Sequence, residues 1–69
     1  MLIIESVLGN ISEAAWQERV QKVKVDYLTL DQWDAQKNRL RRKTEQGNDV
    51  AISLPRNTFL HNGDVLAFD

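Results

Sequence analysis

The sequence predicts a mostly β domain, a small barrel or two-sheet sandwich of about six short strands with one short helix. Three observations lead there. The chain has 69 residues, enough for one domain with a thin core. Several stretches of strand length either alternate apolar with polar residues or cluster β-branched ones. Turn residues separate them at Gly9-Asn10, at Glu45-Gln46-Gly47-Asn48 and at Asn62-Gly63.

Taken in order, Leu2 to Leu8 is short, rich in Ile and Val, and predicts a strand that stops at Gly9-Asn10. Ile11 to Gln21 admits two readings. Ser12 would cap a short helix containing the good helix formers Ala14, Ala15, Gln17 and Glu18, or the stretch is a long loop with Trp16 tucked onto the core. Val23, Val25 and Tyr27 alternate with Lys22, Lys24 and Asp26, the period of a half-buried strand. Asp31 to Lys37 suits a short helix capped by Thr29 or Asp31, with Lys37 near its C-terminus, where the helix dipole favours a cation. Arg39 to Thr44 and Val50 to Leu54 read as a hairpin, and Pro55 ends its second strand for want of an N–H. Phe59-Leu60 begins a short extended piece, and Val65 to Phe68 forms a last strand. Asp69 follows that strand directly, an end as compatible with a continuing second domain as with a stop. The expected core is Ile4, Val23, Val25, Leu40, Ile52, Leu54, Leu60 and Leu66, with Trp16 and Trp33 as anchors between elements.

Composition excludes several function classes. Nine basic residues face ten acidic ones, which argues against a strongly basic nucleic-acid or membrane-surface protein. No apolar run approaches the roughly 20 residues that span a bilayer. The opening Met1-Leu2-Ile3-Ile4-Glu5 has neither the basic nor the long apolar region of a signal peptide. The chain has no cysteine, so it carries no disulfide or thiolate metal site, in keeping with a reducing, cytoplasmic location.

Residues able to do chemistry are few. His61 is the single histidine, and beside Asn62-Gly63 it reads as an exposed turn residue rather than a metal ligand. Ser53, His61 and Asp64 would complete a catalytic triad on paper, but no nucleophile motif frames Ser53, and Asp64 suits a turn. No glycine-rich phosphate loop is present. No catalytic, cofactor-binding or metal-ligating residue is therefore assigned, and the chain reads as a non-enzyme. The one anomaly of charge is Lys37, Arg39, Arg41, Arg42 and Lys43, which hold five of the nine basic residues within seven positions. On a strand, Arg39, Arg41 and Lys43 share one face, with Leu40 and Arg42 on the other. Such a row is a solvated, aggregation-resistant strand, a surface for an acidic partner, or a contact for nucleic acid. With Arg56 from the following turn, Arg39, Arg41 and Lys43 are the candidate partner-binding residues.

The second half of the chain carries an ordered pattern: Arg39-Leu40-Arg41, Gly47, Leu54-Pro55-Arg56, Leu60 and Gly63-Asp64-Val65-Leu66. This series resembles the N-terminal domain of the UreE urease accessory proteins. The opening, Leu2-Ile3-Ile4-Glu5 through Val7-Leu8-Gly9-Asn10-Ile11, is similar to many N-termini of that family, while Ser12 to Gln36 is not distinctive. Asn57 stands where the family commonly has glycine, and asparagine is the best substitute for a left-handed backbone position. The resemblance implies a peptide-binding-like module of a cytoplasmic, homodimeric nickel chaperone. That chaperone delivers nickel to the urease apoprotein with other accessory proteins, among them a GTPase. It also implies that the nickel ligands sit in a second, ferredoxin-like domain, so residues 1–69 form one N-terminal domain without a cofactor of its own. A rival resemblance, through Ile52-Ser53-Leu54-Pro55 and Gly63-Asp64-Val65, is to the swapped-hairpin transcription factors of the AbrB type.

Overall fold

The structure, a computed structural model, describes residues 1–68; Asp69 lies outside the described residues. Seven elements follow one another: β1 (Leu2–Ile4), β2 (Gly9–Asn10), α1 (Ala14–Val20), α2 (Gln32–Ala35), β3 (Arg39–Lys43), β4 (Asp49–Ser53) and β5 (Asp64–Val65). They form two small sheets, as the sequence predicts for a mostly β domain. One has the order β1-β4-β3, and the other pairs β2 with β5.

β4 is the centre. Val50 and Ile52 alternate with half-buried neighbours and, with Ile4 and Leu54, make up the buried core. Leu28, Leu40, Leu60 and Leu66 pack around them half-buried. β1 runs parallel to β4, with Ile4 opposite Ile52. β3 runs antiparallel on the other side, with Leu40 opposite Ile52 and Arg42 opposite Val50. This register puts apolar side chains on the inner face and leaves Ile3, Arg41 and Ala51 side by side on the outer one.

The β3–β4 hairpin closes as the turn residues dictate. Gly47 takes φ 87, a value a side chain would strain. The Thr44 carbonyl accepts from the Gly47 N–H at 2.9 Å, and the Thr44 hydroxyl accepts from the Asn48 N–H at 3.0 Å. Past β4, the Pro55–Thr58 turn places Asn57 at φ 62, the left-handed conformation the sequence suggested for it.

The second sheet rests on Asn10. Its side-chain amide donates to the Asn62 carbonyl and to Asp64 Oδ1, both at 3.0 Å, and its Oδ1 accepts from the Ser12 N–H at 2.9 Å. Glu13 returns a carboxylate oxygen to the Asn10 N–H at 2.7 Å. The Ile11–Gln21 stretch thus resolves into a helix. Its start is fixed by Asn10 and Glu13 rather than by a Ser12 cap, since Glu13 occupies the N-cap position. Trp16 anchors α1 as expected: its ring meets Phe68 edge-on at 5.5 Å, and the Arg19 guanidinium lies 4.8 Å from its centre.

Four expectations are corrected. Leu2 to Leu8 is not one strand, because the chain leaves the first sheet after Ile4 and Gly9–Asn10 becomes a strand of the second. Val23 to Tyr27 forms no strand, and Val23 is 41% exposed rather than core. This segment docks onto the hairpin turn through the Asp26 side chain and one backbone bond. Asp26 accepts from Asn48 Nδ2 at 2.7 Å and from the Gln46 N–H at 3.3 Å, and the Tyr27 carbonyl accepts from the Glu45 N–H at 2.9 Å. Trp33 is 68% exposed: a four-residue helix capped by Asp31 turns it outward. The last strand is two residues, Asp64–Val65, and Phe59-Leu60 is irregular. Among the described residues, five strands in two small sheets, with two short helices, agree with the mostly β domain the sequence predicts.

Candidate protein-interaction surface

β3 is an edge strand whose sequence, Arg39-Leu40-Arg41-Arg42-Lys43, turns one apolar residue inward and three cations outward. Arg39 lies opposite Ser53, Arg41 opposite Ala51 and Lys43 opposite Asp49. The structure therefore brings Arg39, Arg41 and Lys43 onto one solvent-facing strip. Arg56 lies in the turn after β4, at the end of the hairpin where Arg39 begins β3, and is exposed.

The cations differ in what they are free to do. Arg41 forks onto Asp49: its Nε lies 3.0 Å from Oδ1, and an Nη donates to the other oxygen. That pairing holds the Asp49 carboxyl below its ordinary pKa and raises the Arg41 guanidinium above its own. Arg42, on the inner face, bonds Asp34 at 3.1 Å, and Lys37 reaches the same carboxylate at 3.1 Å. Those two partners, Lys37 first, hold Asp34 below the usual carboxylate range. Among the described residues, no ion pair engages Arg39, Lys43 or Arg56. Sequence reasoning found the cluster but missed the acids that divide it. Asp49 could have been found by writing the hairpin register. Asp34 is brought to β3 by α2, which no local signal announces.

The other polar candidates are turn residues. The Asp64 carboxylate accepts from the His61 N–H at 2.7 Å and lies 3.7 Å from His61 Nδ1, whose ring is 77% exposed. Ser53 sits on the outer face of β4 opposite Arg39. No group of three His, Cys, Asp or Glu side chains among the described residues is placed to hold a metal ion. No helix among them is long and apolar enough to cross a membrane.

A thin core, an open strand edge and a strip of cations outside any ion pair define a small β-rich domain with a candidate interaction surface. The chain belongs to the family described as the UreE urease accessory protein, N-terminal domain, which residues 4–69 match. Among its relatives, the urease accessory protein UreE of Yersinia aldovae is 50% identical over 70 residues, a match that takes in the whole chain and 30% of that protein. The UreE proteins of Yersinia bercovieri and Edwardsiella ictaluri are 47% identical, again over the whole chain and 31% of each relative. The chain thus spans under a third of the relatives it matches. They are named as accessory proteins of urease rather than as catalysts. The family match runs through Ile52–Pro55 and Gly63–Val65, the residues on which the transcription-factor resemblance rested, and that alternative has no support.

Proposed function

We propose that this domain is the protein-interaction module of a cytoplasmic urease accessory nickel chaperone, and that it assists nickel delivery to apo-urease during assembly of the metallocentre. The observation that carries this reading is the match of residues 4–69 to the UreE N-terminal family. In this reading nickel is cargo, and its ligands lie in a second, ferredoxin-like domain of a homodimeric full-length protein. In this reading the domain contributes contacts to proteins rather than ligands to the metal. Its partners are the urease apoprotein and the other accessory proteins, including the accessory GTPase. Arg39, Lys43 and Arg56 meet an acidic partner surface directly, while Arg41 adds the face of a guanidinium already held by Asp49. Arginine suits such contacts because its planar fork pairs with carboxylates in two parallel bonds.

The test is reconstitution of urease from apoprotein, nickel and accessory proteins, with the full-length chaperone or a version lacking residues 1–69. We expect the shortened protein to bind nickel as before, to retain less accessory GTPase and apo-urease in a pull-down, and to activate urease more slowly. Equal retention and equal activation would overturn the reading.

A further inference from the structure

We propose that the open edge of β3 accepts an extended acidic segment of a partner protein by strand addition, with carboxylates four residues apart on that segment standing opposite Arg39 and Lys43. The inference rests on the reading above, in which the β3 cations face a partner, and adds the mode of contact and the chemistry of the ligand.

The hydrogen-bond pattern supplies the edge. β3 is terminal in the order β1-β4-β3. The Leu54 N–H donates to the Asn38 carbonyl at 2.7 Å, and the Thr44 N–H donates to the Asn48 carbonyl at 2.8 Å. These two bonds bracket the ladder at even-numbered residues of the first strand. In an antiparallel pair, bonded and non-bonded positions alternate, so Leu40 and Arg42 bond to β4. The N–H and C=O groups of Arg39, Arg41 and Lys43 then point away from the sheet. The residues with backbone groups to offer are thus the same three that carry cations on the outer face.

Charge complementarity selects the occupant. An added strand would set alternate side chains beside Arg39, Arg41 and Lys43 as cross-strand neighbours, where opposite charges attract. Arg41 is already neutralised by Asp49, so the middle position calls for no acid. The two end positions do, and they lie about 13 Å apart along an extended chain. The opposite edge of the sheet, β1, carries exposed Leu2 and Ile3 and has no cation within the strand.

An Nη of Arg42 donates to the outward Arg41 carbonyl at 2.8 Å while its other Nη bonds Asp34 at 3.1 Å. That carbonyl keeps a second lone pair for an incoming N–H, so the contact leaves the edge able to pair.

The experiment is a fluorescence-anisotropy titration of the full-length protein with a labelled ten-residue peptide of Thr and Val carrying two Glu four positions apart. We expect salt-sensitive binding that falls about tenfold or more in Arg39→Glu/Lys43→Glu, and by a similar factor when alternate peptide amides are N-methylated. Both positions are exposed, and an unchanged circular dichroism spectrum verifies that the variant is folded. Equal binding of the N-methylated peptide would overturn strand addition yet leave the basic-face reading standing. No binding of the Glu peptide, with accessory GTPase still captured through Arg39 and Lys43, would do the same. Charge reversal without effect on either ligand would overturn both. Tighter binding of a single-stranded oligonucleotide of equal charge would replace the acidic segment as occupant and overturn the proposal.

Discussion

Asn10 and Asp26 show how single side chains hold the weakly packed parts of this domain together. Asn10 joins the start of α1 to the turn before β5 through bonds to Asn62, Asp64 and Ser12. Replacing it by Ala removes these bonds from groups that water can reach, a loss of about 0.5–1.5 kcal/mol, which urea unfolding would measure as a lower midpoint. Gly9 beside it has no room for a side chain, since a Cβ there would run into the Trp16 indole. Gly9→Ala should therefore loosen α1 and lower the thermal midpoint even though the backbone angle is ordinary. Asp26 pins the Val23–Leu30 segment to the hairpin turn. Hydrogen bonds from Thr44 first, then Asn48 and the backbone of Gln46 and Tyr27, hold its carboxyl below the usual range. A depressed folded pKa stabilises the fold above the unfolded value of about 4 and is lost as pH falls through the folded one. Stability should thus be flat near neutrality and decline in acid below about pH 4, with Asp34 and Asp49 contributing in the same direction. Asp26→Asn should flatten part of that decline, which pH-dependent thermal melts would detect.

Among the elements, those written in local chemistry were legible. The β3–β4 hairpin follows from Gly47, whose positive φ the turn requires, and from alternation on both flanking strands. Asn57 was legible for the same reason, as a residue that tolerates the left-handed region. The Val23–Tyr27 segment was not, because alternation records which residues could face a core but not whether a partner strand is there to bond them. Both sides of β4 are already taken, by β1 and β3. Val50 shares the inner face of Ile52 and Leu54 and is buried with them, opposite Leu2 of β1, a parallel pairing that no local signal announces. The two kinds of position separate by mutation. Ile52→Ala or Leu54→Ala, at buried sites, should cost roughly 2–5 kcal/mol. Val23→Thr, at an exposed one, should stay within about 0.5 kcal/mol. Denaturant unfolding of the set checks both. The candidate surface was half legible: the sequence shows five cations in seven positions, but their division into paired and unpaired depends on Asp49 across the hairpin and Asp34 from α2.

At the scale of the whole molecule, four buried side chains among the described residues make the core beneath the larger of two small sheets. The cations outside any ion pair among these residues line one edge and one adjoining turn. In the function proposed above, they make the domain a contact surface of a urease accessory protein. The most direct test is the affinity of the full-length protein for its accessory GTPase and for apo-urease across a range of salt, comparing wild type with Arg39→Glu/Lys43→Glu/Arg56→Glu. The variant should stay folded, associate more slowly, and lose much of the salt dependence of the wild type. Equal affinity and an equal salt slope for the two proteins would contradict this role.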